Sequence, residues 1–321
     1  MTATLPGELR EVFDRFITTE YVTVDRHGQP IAWPVTPYHH PEEGCIDVTT
    51  GLGYPKKARD AEANPQVALL FSDPNGSGID QAPMVLVQGT AAVDDRDLDA
   101  NRERYERESA AKLPDAQKGA PPGFLRRFFL WYYARIYVHV RPERVFVWRG
   151  GDLSAAPDIF GAHVEEVRSG HDELPDEPHA APEGGGPAWN ERIDSLGSRT
   201  YPTAVLALTS PDGFPFAVRV PVRPDRASGV VRIDAEPETV PWQPGLACLT
   251  AHDHDDRFTW QRNFQVRGDL VEDEHGWTLL PHRVIGGFEL PPGSLVARMR
   301  QNSAKVKRYR AIAKREMEKR G

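Results

Sequence analysis

Cysteine is scarce in this chain. Its 321 residues include two, Cys45 and Cys248, too few for a disulfide framework or a cysteine-rich metal site and in keeping with a reducing compartment. Lysine is scarce as well. Of 39 cationic residues eight are lysines, and four of those lie beyond residue 300, so the pair Lys56-Lys57 stands out from an arginine-rich background. Long apolar runs are missing. The densest, Phe128-Phe129-Leu130-Trp131-Tyr132-Tyr133-Ala134-Arg135, is too short to span a bilayer. The opening Met1-Thr2-Ala3-Thr4-Leu5-Pro6-Gly7-Glu8 has neither a basic region nor an apolar core. No signal peptide is therefore expected, and a cytoplasmic location is. With a net charge of -8 the whole surface carries no nucleic-acid footprint. No Ser/His/Asp or Cys/His nucleophile set stands out, so no catalytic residue is assigned.

What is present is the composition of a globular protein with enough apolar residues for sizeable cores, long enough for about two domains. Residues 8–18 read as a short helix with Leu9, Val12, Phe13 and Phe16 on one face. Tyr21–Val24 and Pro30–Val35 flank the turn Asp25-Arg26-His27-Gly28 as a hairpin. Cys45–Thr50, Val67–Phe71 and Met84–Val93 follow as strands, with a bend or bulge expected at Gly89. A charged helix is expected over about 95–112 and an aromatic one over about 124–134. Arg135–Val140 and Arg144–Trp148 then close the unit on either side of Pro142. This pattern predicts a small β-barrel with peripheral helices. Ser154–Val167 reads as a short helix, and 169–190, rich in Gly, Pro and charge, as a linker.

The densest functional signal runs from Thr49 to Phe71. A strand ends at Thr49-Thr50, Gly51-Leu52-Gly53-Tyr54-Pro55 turns the chain, and a helix opens on Lys56-Lys57-Ala58-Arg59. The helix stops before Pro65. Cations at a helix start oppose the helix dipole, but with the free backbone amides there they form an anion site suited to phosphate. A solvated turn with chance lysines is the competing reading.

The strand pattern restarts after the linker. Tyr201–Leu208, Pro215–Pro221, Gly229–Ile233, Gly245–Thr250 and Phe264–Val271 repeat the earlier strands in order, aligning Gly268 with Gly89 and Pro281-His282-Arg283-Val284 with Pro142-Glu143-Arg144-Val145. We read this as a degenerate internal duplication. The interval 237–244 of the second copy holds no cation, so one basic loop, and one cofactor site, is expected per chain.

Taken together, the entry hairpin with Gly28-Gln29-Pro30, the strand ending Thr49-Thr50, the run Lys57-Ala58-Arg59 to Asn64-Pro65-Gln66-Val67, the strand ending Val87-Gln88-Gly89, and Val138–Val145 through Trp148 resemble the split β-barrel flavoproteins related to pyridoxamine 5′-phosphate oxidase. That family includes relatives using FMN or the deazaflavin F420. The match covers residues 10–150 and, more weakly, 200–290. The resemblance implies a mainly β fold with peripheral helices, an α+β arrangement of two tandem split β-barrels. Its expected parts are a cofactor-binding barrel over 1–150, a linker over 151–198, a second barrel over 199–293 and a basic helix over 294–321. It also implies a cofactor at the interface of two barrels, here an internal pseudo-dimer, with a further homodimer open. Lys57 would hold the phosphate with Lys56 and Arg59, and Thr49 and Thr50 would bond phosphate or ribityl oxygens. Trp33, Pro34, Val35 and Thr36 would border the ring and offer backbone amides. Gln88 would lie at the site, and Arg262, Gln265 and Arg267 would approach from the second barrel. FMN is the cofactor adopted, with F420 and heme as alternatives, and the partner is a small organic substrate oxidised or reduced by hydride transfer. The fuller substrate-binding set of the vitamin B6 oxidases is absent. A non-catalytic binding protein is the alternative class.

Three further stretches have two readings each. Tyr38, His39 and His40 are either proton donors or an exposed loop before Pro41. His252-Asp253-His254-Asp255-Asp256 has metal-capable side chains but falls where a turn is expected, so it is read as a solvated acidic loop and no metal is assigned. From Arg298 to Arg320 ten Lys/Arg face two Glu. Leu295, Met299, Val306, Tyr309, Ala313 and Met317 share one helical face. This helix is either docked on the chain's own acidic barrels or an anion-binding arm.

Overall fold

The structure, a computed structural model, describes residues 7–118, 126, 129–161, 189–235, 237, 239–287 and 303–320. The N-terminal half runs α1 (Gly7–Arg15), β1 (Thr19–Val24), β2 (Pro30–Val35), β3 (Tyr38–His40), β4 (Cys45–Gly51), α2 (Lys56–Ala63), β5 (Gln66–Phe71), β6 (Met84–Asp94), α3 (Leu98–Lys112), β7 (Arg135–Trp148) and β8 (Asp158–Gly161). These strands form one antiparallel sheet in the order β2-β1-β5-β6-β7-β4-β3, with β8 beside β7. The C-terminal half holds β9 (Thr203–Thr209), β10 (Pro215–Asp225), β11 (Val230–Ile233), β12 (Gly245–His254), β13 (Gln261–Asp273) and β14 (Gly276–Gly286). They close a barrel in the order β10-β11-β14-β13-β12-β9.

The two halves share a strand order. Reading β9, β10, β11, β12, β13 and β14 against β1, β2, β4, β5, β6 and β7, five of the six pairings of the C-terminal barrel recur in the N-terminal half; the sixth, β10 with β11, closes the barrel, whereas β2 and β4 are not paired. A shared defect strengthens the parallel. The β6–β7 register slips between Gln88 and Gly89, opposite Pro142, and the β13–β14 register slips between Arg267 and Gly268, opposite Pro281. A Cβ on Gly89 would stand 2.1 Å from the Arg141 carbonyl oxygen, and one on Gly268 2.0 Å from that of Leu280. Only glycine admits such a backbone approach at a bulge. Because the bulge absorbs Pro142, Arg135–Trp148 is one strand rather than two.

Period-two alternation explains why the N-terminal strands read as unbroken apolar runs. Val67, Leu69 and Phe71 of β5 face the core of their own half, with Val85, Val87, Val145 and Val147. Ala68, Leu70, Leu86, Phe146 and Trp148 face the other way and join Leu206, Phe216, Val218, Leu249 and Val266 in a second core shared by both halves. Phe216 packs edge-on to Phe146 and Trp148, at centroid distances of 5.6 and 6.3 Å. The sheet is thus buried on both faces.

Several expectations are corrected. Tyr38, His39 and His40 form a strand paired with β4, not an exposed loop. Tyr38 is buried and His39 lies 2.7 Å from Asp14. Residues 158–161 are a strand, not helix, because Asp158–Gly161 continues the sheet beside β7, and 154–157 are not helical; residues 162–167, the 169–188 part of the linker, residues 124–125 and 127–128, and Leu295 and Met299 lie outside the described residues. Of the stretch from His252, Asp255 and Asp256 do fall in a turn, but His252–His254 are no solvated loop. β12 extends through His254, and strand alternation turns both histidines inward, where they are buried.

The C-terminal helix Ser303–Glu318 docks on the first half. Tyr309 stacks on Trp131 (5.4 Å, 23°) and meets Tyr54 edge-on at 5.4 Å. Ala313 is buried, and Glu316 and Arg320 pair with Arg59 (2.6 Å) and Asp95 (2.5 Å). No described helix is long and apolar enough to cross a membrane.

Candidate functional site

The loop from Thr49 to Lys57 is built tightly. Gly51 and Gly53 let it pass the Trp131 carbonyl, to which a Cβ on either would come within 3.0 Å. Its amides are committed internally: Leu52 donates to the Ala134 carbonyl, Gly53 to Trp131 and Tyr54 to Gly51. The Thr50 hydroxyl donates to the Tyr54 carbonyl at 2.8 Å, and Thr49 is half-buried opposite Tyr137 in the ladder.

The three cations of α2 have different fates. Lys56 is taken by Asp60 (2.9 Å) and Asp25 (3.4 Å). Arg59 is taken by Glu62 (2.7 Å), Glu316 (2.6 Å) and Asp95 (3.4 Å). Lys57 is half-buried, stands 5.9 Å from the Tyr54 ring centroid, and pairs with no carboxylate among the described residues. Burial, and then the neighbouring Arg135 guanidinium, push its amine down to about 7.

Arg135 is the residue that sequence reasoning passed over. It opens β7 and is buried, its guanidinium lying 3.9 Å from the Tyr105 ring and 4.2 Å from the Tyr132 ring. It donates to the Tyr54 hydroxyl at 3.2 Å, while its Nε has no hydrogen-bond partner. Arginine keeps its proton in such surroundings. Burial raises the Tyr54 and Tyr105 phenols well above their usual range, so they stay neutral. Lys57 and Arg135 therefore bring positive charge into an aromatic enclosure that holds no carboxylate against them among the described residues. Unpaired buried charge is costly, and an anion bridging the two would relieve it. The available signal was an arginine placed directly after the aromatic run Trp131-Tyr132-Tyr133.

The remaining candidates lie where the halves meet. Trp33 and Pro34 are half-buried on β2 opposite Tyr21 and Glu20, and Val35 is buried. The Ala32 carbonyl accepts from Thr250 Oγ1 (2.9 Å) and from Gln265 Nε2. Pro34 has no amide hydrogen to offer. Thr36, just past β2, is half-buried. Arg267 donates to Gln265 Oε1 at 3.0 Å, and Asp25 and Asp60, the partners of Lys56, lie within its electrostatic reach. Gln88 donates from Nε2 to the Pro215 carbonyl at 2.9 Å. Arg262 is exposed, paired with Asp253 at 2.6 Å. The structure thus groups Lys57 with Arg135 and the tyrosines, and Gln265 and Arg267 with β2 and the Lys56 side of α2.

No family model and no curated protein matches the chain. Solved structures similar to it include an F420 reductase, 19% identical over 44% of this chain and 98% of that one, with a TM-score of 0.33. Another is a Clostridium acetobutylicum protein related to general stress protein 26, of the pyridoxine-phosphate oxidase family, 13% identical over 50% of this chain and 94% of that one (TM-score 0.33). A third is a pyridoxamine 5′-phosphate oxidase-related, FMN-binding protein from Nostoc punctiforme, 12% identical over 46% of this chain and 86% of that one (TM-score 0.32). Their names coincide with the resemblance drawn from the sequence. At these identities and scores they assign no activity to this chain.

Proposed function

We propose that the chain binds a flavin-type cofactor, FMN, through its phosphate and acts as an oxidoreductase on a small organic substrate. One observation carries this reading: Lys57 and Arg135 both stand against Tyr54, at 5.9 Å from its ring centroid and 3.2 Å from its hydroxyl, without a carboxylate on them among the described residues, and the buried Arg135 Nε has no partner. A phosphate accepts from both cations with charge-assisted bonds, and the Tyr54, Tyr105 and Tyr132 rings shield those bonds from water. When bound, a flavin supplies hydride or electron transfer, and the protein sets its position and electrostatics. At the junction of the halves, Trp33, Val35 and Thr36 offer an edge for the ring system, and Arg267 offers a cation. Each contact to the phosphate is worth roughly 1.5–3 kcal/mol. Lys57→Ala should therefore weaken FMN binding about tenfold or more, measured by titrating apo-protein and following flavin fluorescence. Unchanged affinity would remove the assignment.

One observation favours F420 as a second reading. A groove of about 340 Å³ runs beside Trp131 and is lined by Arg310 and Lys314 of the C-terminal helix, together with Glu318, which lies 3.8 Å from Lys314. F420 continues past its phosphate into an anionic tail that such a groove would accommodate. Titration of both cofactors at low and high salt separates the readings. Tight F420 binding that weakens steeply with salt, with negligible FMN binding, would replace FMN by F420.

A further inference from the structure

A second polar cluster lies buried between the halves, away from the Lys57–Arg135 enclosure. Asp73 comes from the loop after β5, and His252 and His254 from β12. One ligand-type atom from each lies within 4.8 Å of the others. Asp73 Oδ2 is 3.4 Å from His254 Nε2 and 3.8 Å from His252 Nδ1. Tetrahedral zinc bonds of about 2.0–2.1 Å set ligand atoms roughly 3.3–3.4 Å apart, so the cluster needs little movement to close on an ion.

The far nitrogen of each ring is already engaged. His252 Nε2 lies 2.5 Å from Glu20 Oε1, and His254 Nδ1 lies 2.9 Å from the Asp255 carbonyl oxygen. The Asp255 carbonyl places the His254 proton on Nδ1, so Nε2, which also lies 3.3 Å from Thr18 Oγ1, turns a lone pair toward Asp73. His252 Nε2 is approached by both the Glu20 carboxylate and Arg219 Nη2 (2.6 Å), and in the tautomer that donates to Glu20 its Nδ1 presents a lone pair to the same small volume. This is the outer-shell arrangement that orients metal-binding histidines. His252 is 7% exposed, and its Nδ1, the atom facing Asp73, has no hydrogen-bond partner. The cation Arg219 lies on the Nε2 side of His252, its Nη2 2.6 Å from that nitrogen and 2.8 Å from Glu20 Oε1, and its Nε donating to Ser72 Oγ at 2.9 Å, so it faces away from the ion position at Nδ1. The Asp73 side chain is 21% exposed, which leaves a route for an ion to enter.

The other such cluster among the described residues, Cys45, Asp47 and His139, differs. There the thiol and the imidazole both bond Asp47 Oδ1, at 3.3 and 2.8 Å, and Arg104 bonds Asp47 Oδ2 at 2.5 Å. Its ligand atoms are spent on one another.

We propose that Asp73, His252 and His254 form a site for a divalent transition-metal ion, Zn2+ by its match to two imidazoles and a carboxylate with water as the fourth ligand, which ties the two halves together. This rests on no part of the cofactor reading. The test uses the full-length chain stripped with a chelator and titrated with Co2+. Expected are one equivalent of Co2+ per chain with visible d–d bands, displacement by Zn2+, and a melting temperature that rises when Zn2+ is added. His254→Gln and Asp73→Asn, checked for native circular dichroism, should each weaken Co2+ binding at least about tenfold and lose the Zn2+-dependent rise. The proposal is overturned by a wild-type protein with no Co2+ spectrum, by a thiolate-to-cobalt band placing the ion at Cys45, or by unaltered affinity in the folded variants.

Discussion

Lys57 is distinguished from its neighbours by what it is denied. Lys56 and Arg59 each have carboxylates at hydrogen-bond distance, whereas Lys57 has Tyr54 and Arg135. The consequence is a titration near neutrality. Its amine in the fold is depressed to about 7 from an ordinary 10.5, so between those values the unfolded chain holds more protons and the ligand-free protein gains stability as pH rises. Phosphate binding has the opposite sign, because it needs the ammonium form. Cofactor affinity should be level up to about pH 7 and fall up to tenfold per unit over pH 7–9. Lys57→Arg, which stays charged, should flatten that profile. The check is a set of binding isotherms across that range; an equal slope in the variant would detach the titration from Lys57. The sequence made Lys57 conspicuous through the rarity of lysine. The i,i+4 pair Lys56–Asp60 and the i,i+3 pair Arg59–Glu62 are local and legible, whereas the carboxylates distant in the chain that complete the removal of Lys56 and Arg59 from the site, Asp25 and Glu316, leave no local pattern.

At the scale of elements, the strands were legible because their apolar runs and turn residues are local signals. The bulge glycines were legible because the two copies align Gly89 with Gly268, each opposite a proline. Gly89→Ala would drive a Cβ against the Arg141 carbonyl at 2.1 Å. The backbone must shift, at a cost of roughly 1–3 kcal/mol, and Gly268→Ala should behave alike. Chemical denaturation of both variants tests this; wild-type midpoints would mean the bulges tolerate a side chain. β3 was missed because Tyr38-His39-His40 is short and polar, and its strand character comes from pairing with β4. The end of β12 was misread for a related reason. An acidic and histidine-rich run looks solvated until Glu20, Arg219, Asp73 and Thr18 supply partners for its buried histidines.

For the whole molecule, the shared core matters most. Val22, Ala68, Leu70, Leu86, Phe146 and Trp148 give β1, β5, β6 and β7 an apolar outward face as well as an inward one, and the second half covers it. Neither half buries its surface alone, so the two should unfold together. Phe216→Ala removes the ring between Phe146 and Trp148 and should cost about 3–5 kcal/mol, lowering a single transition. Tryptophan fluorescence and far-UV circular dichroism should report coincident melting curves; two separate transitions, with one displaced, would show independent domains. The duplication was legible in the sequence, whereas the way Thr250 and Gln265 close on the Ala32 carbonyl of β2 was not, because it depends on how the halves pack.

The central claim is that Lys57 and Arg135 hold the phosphate of a flavin-type cofactor. A crystal structure of the full chain soaked or grown with FMN tests it most directly. Phosphate oxygens are expected about 3 Å from Lys57 Nζ and from the Arg135 guanidinium, inside the Tyr54, Tyr105 and Tyr132 enclosure. A phosphate bound instead beside Lys56 and Arg267, with the Lys57–Arg135 enclosure unchanged, would contradict it.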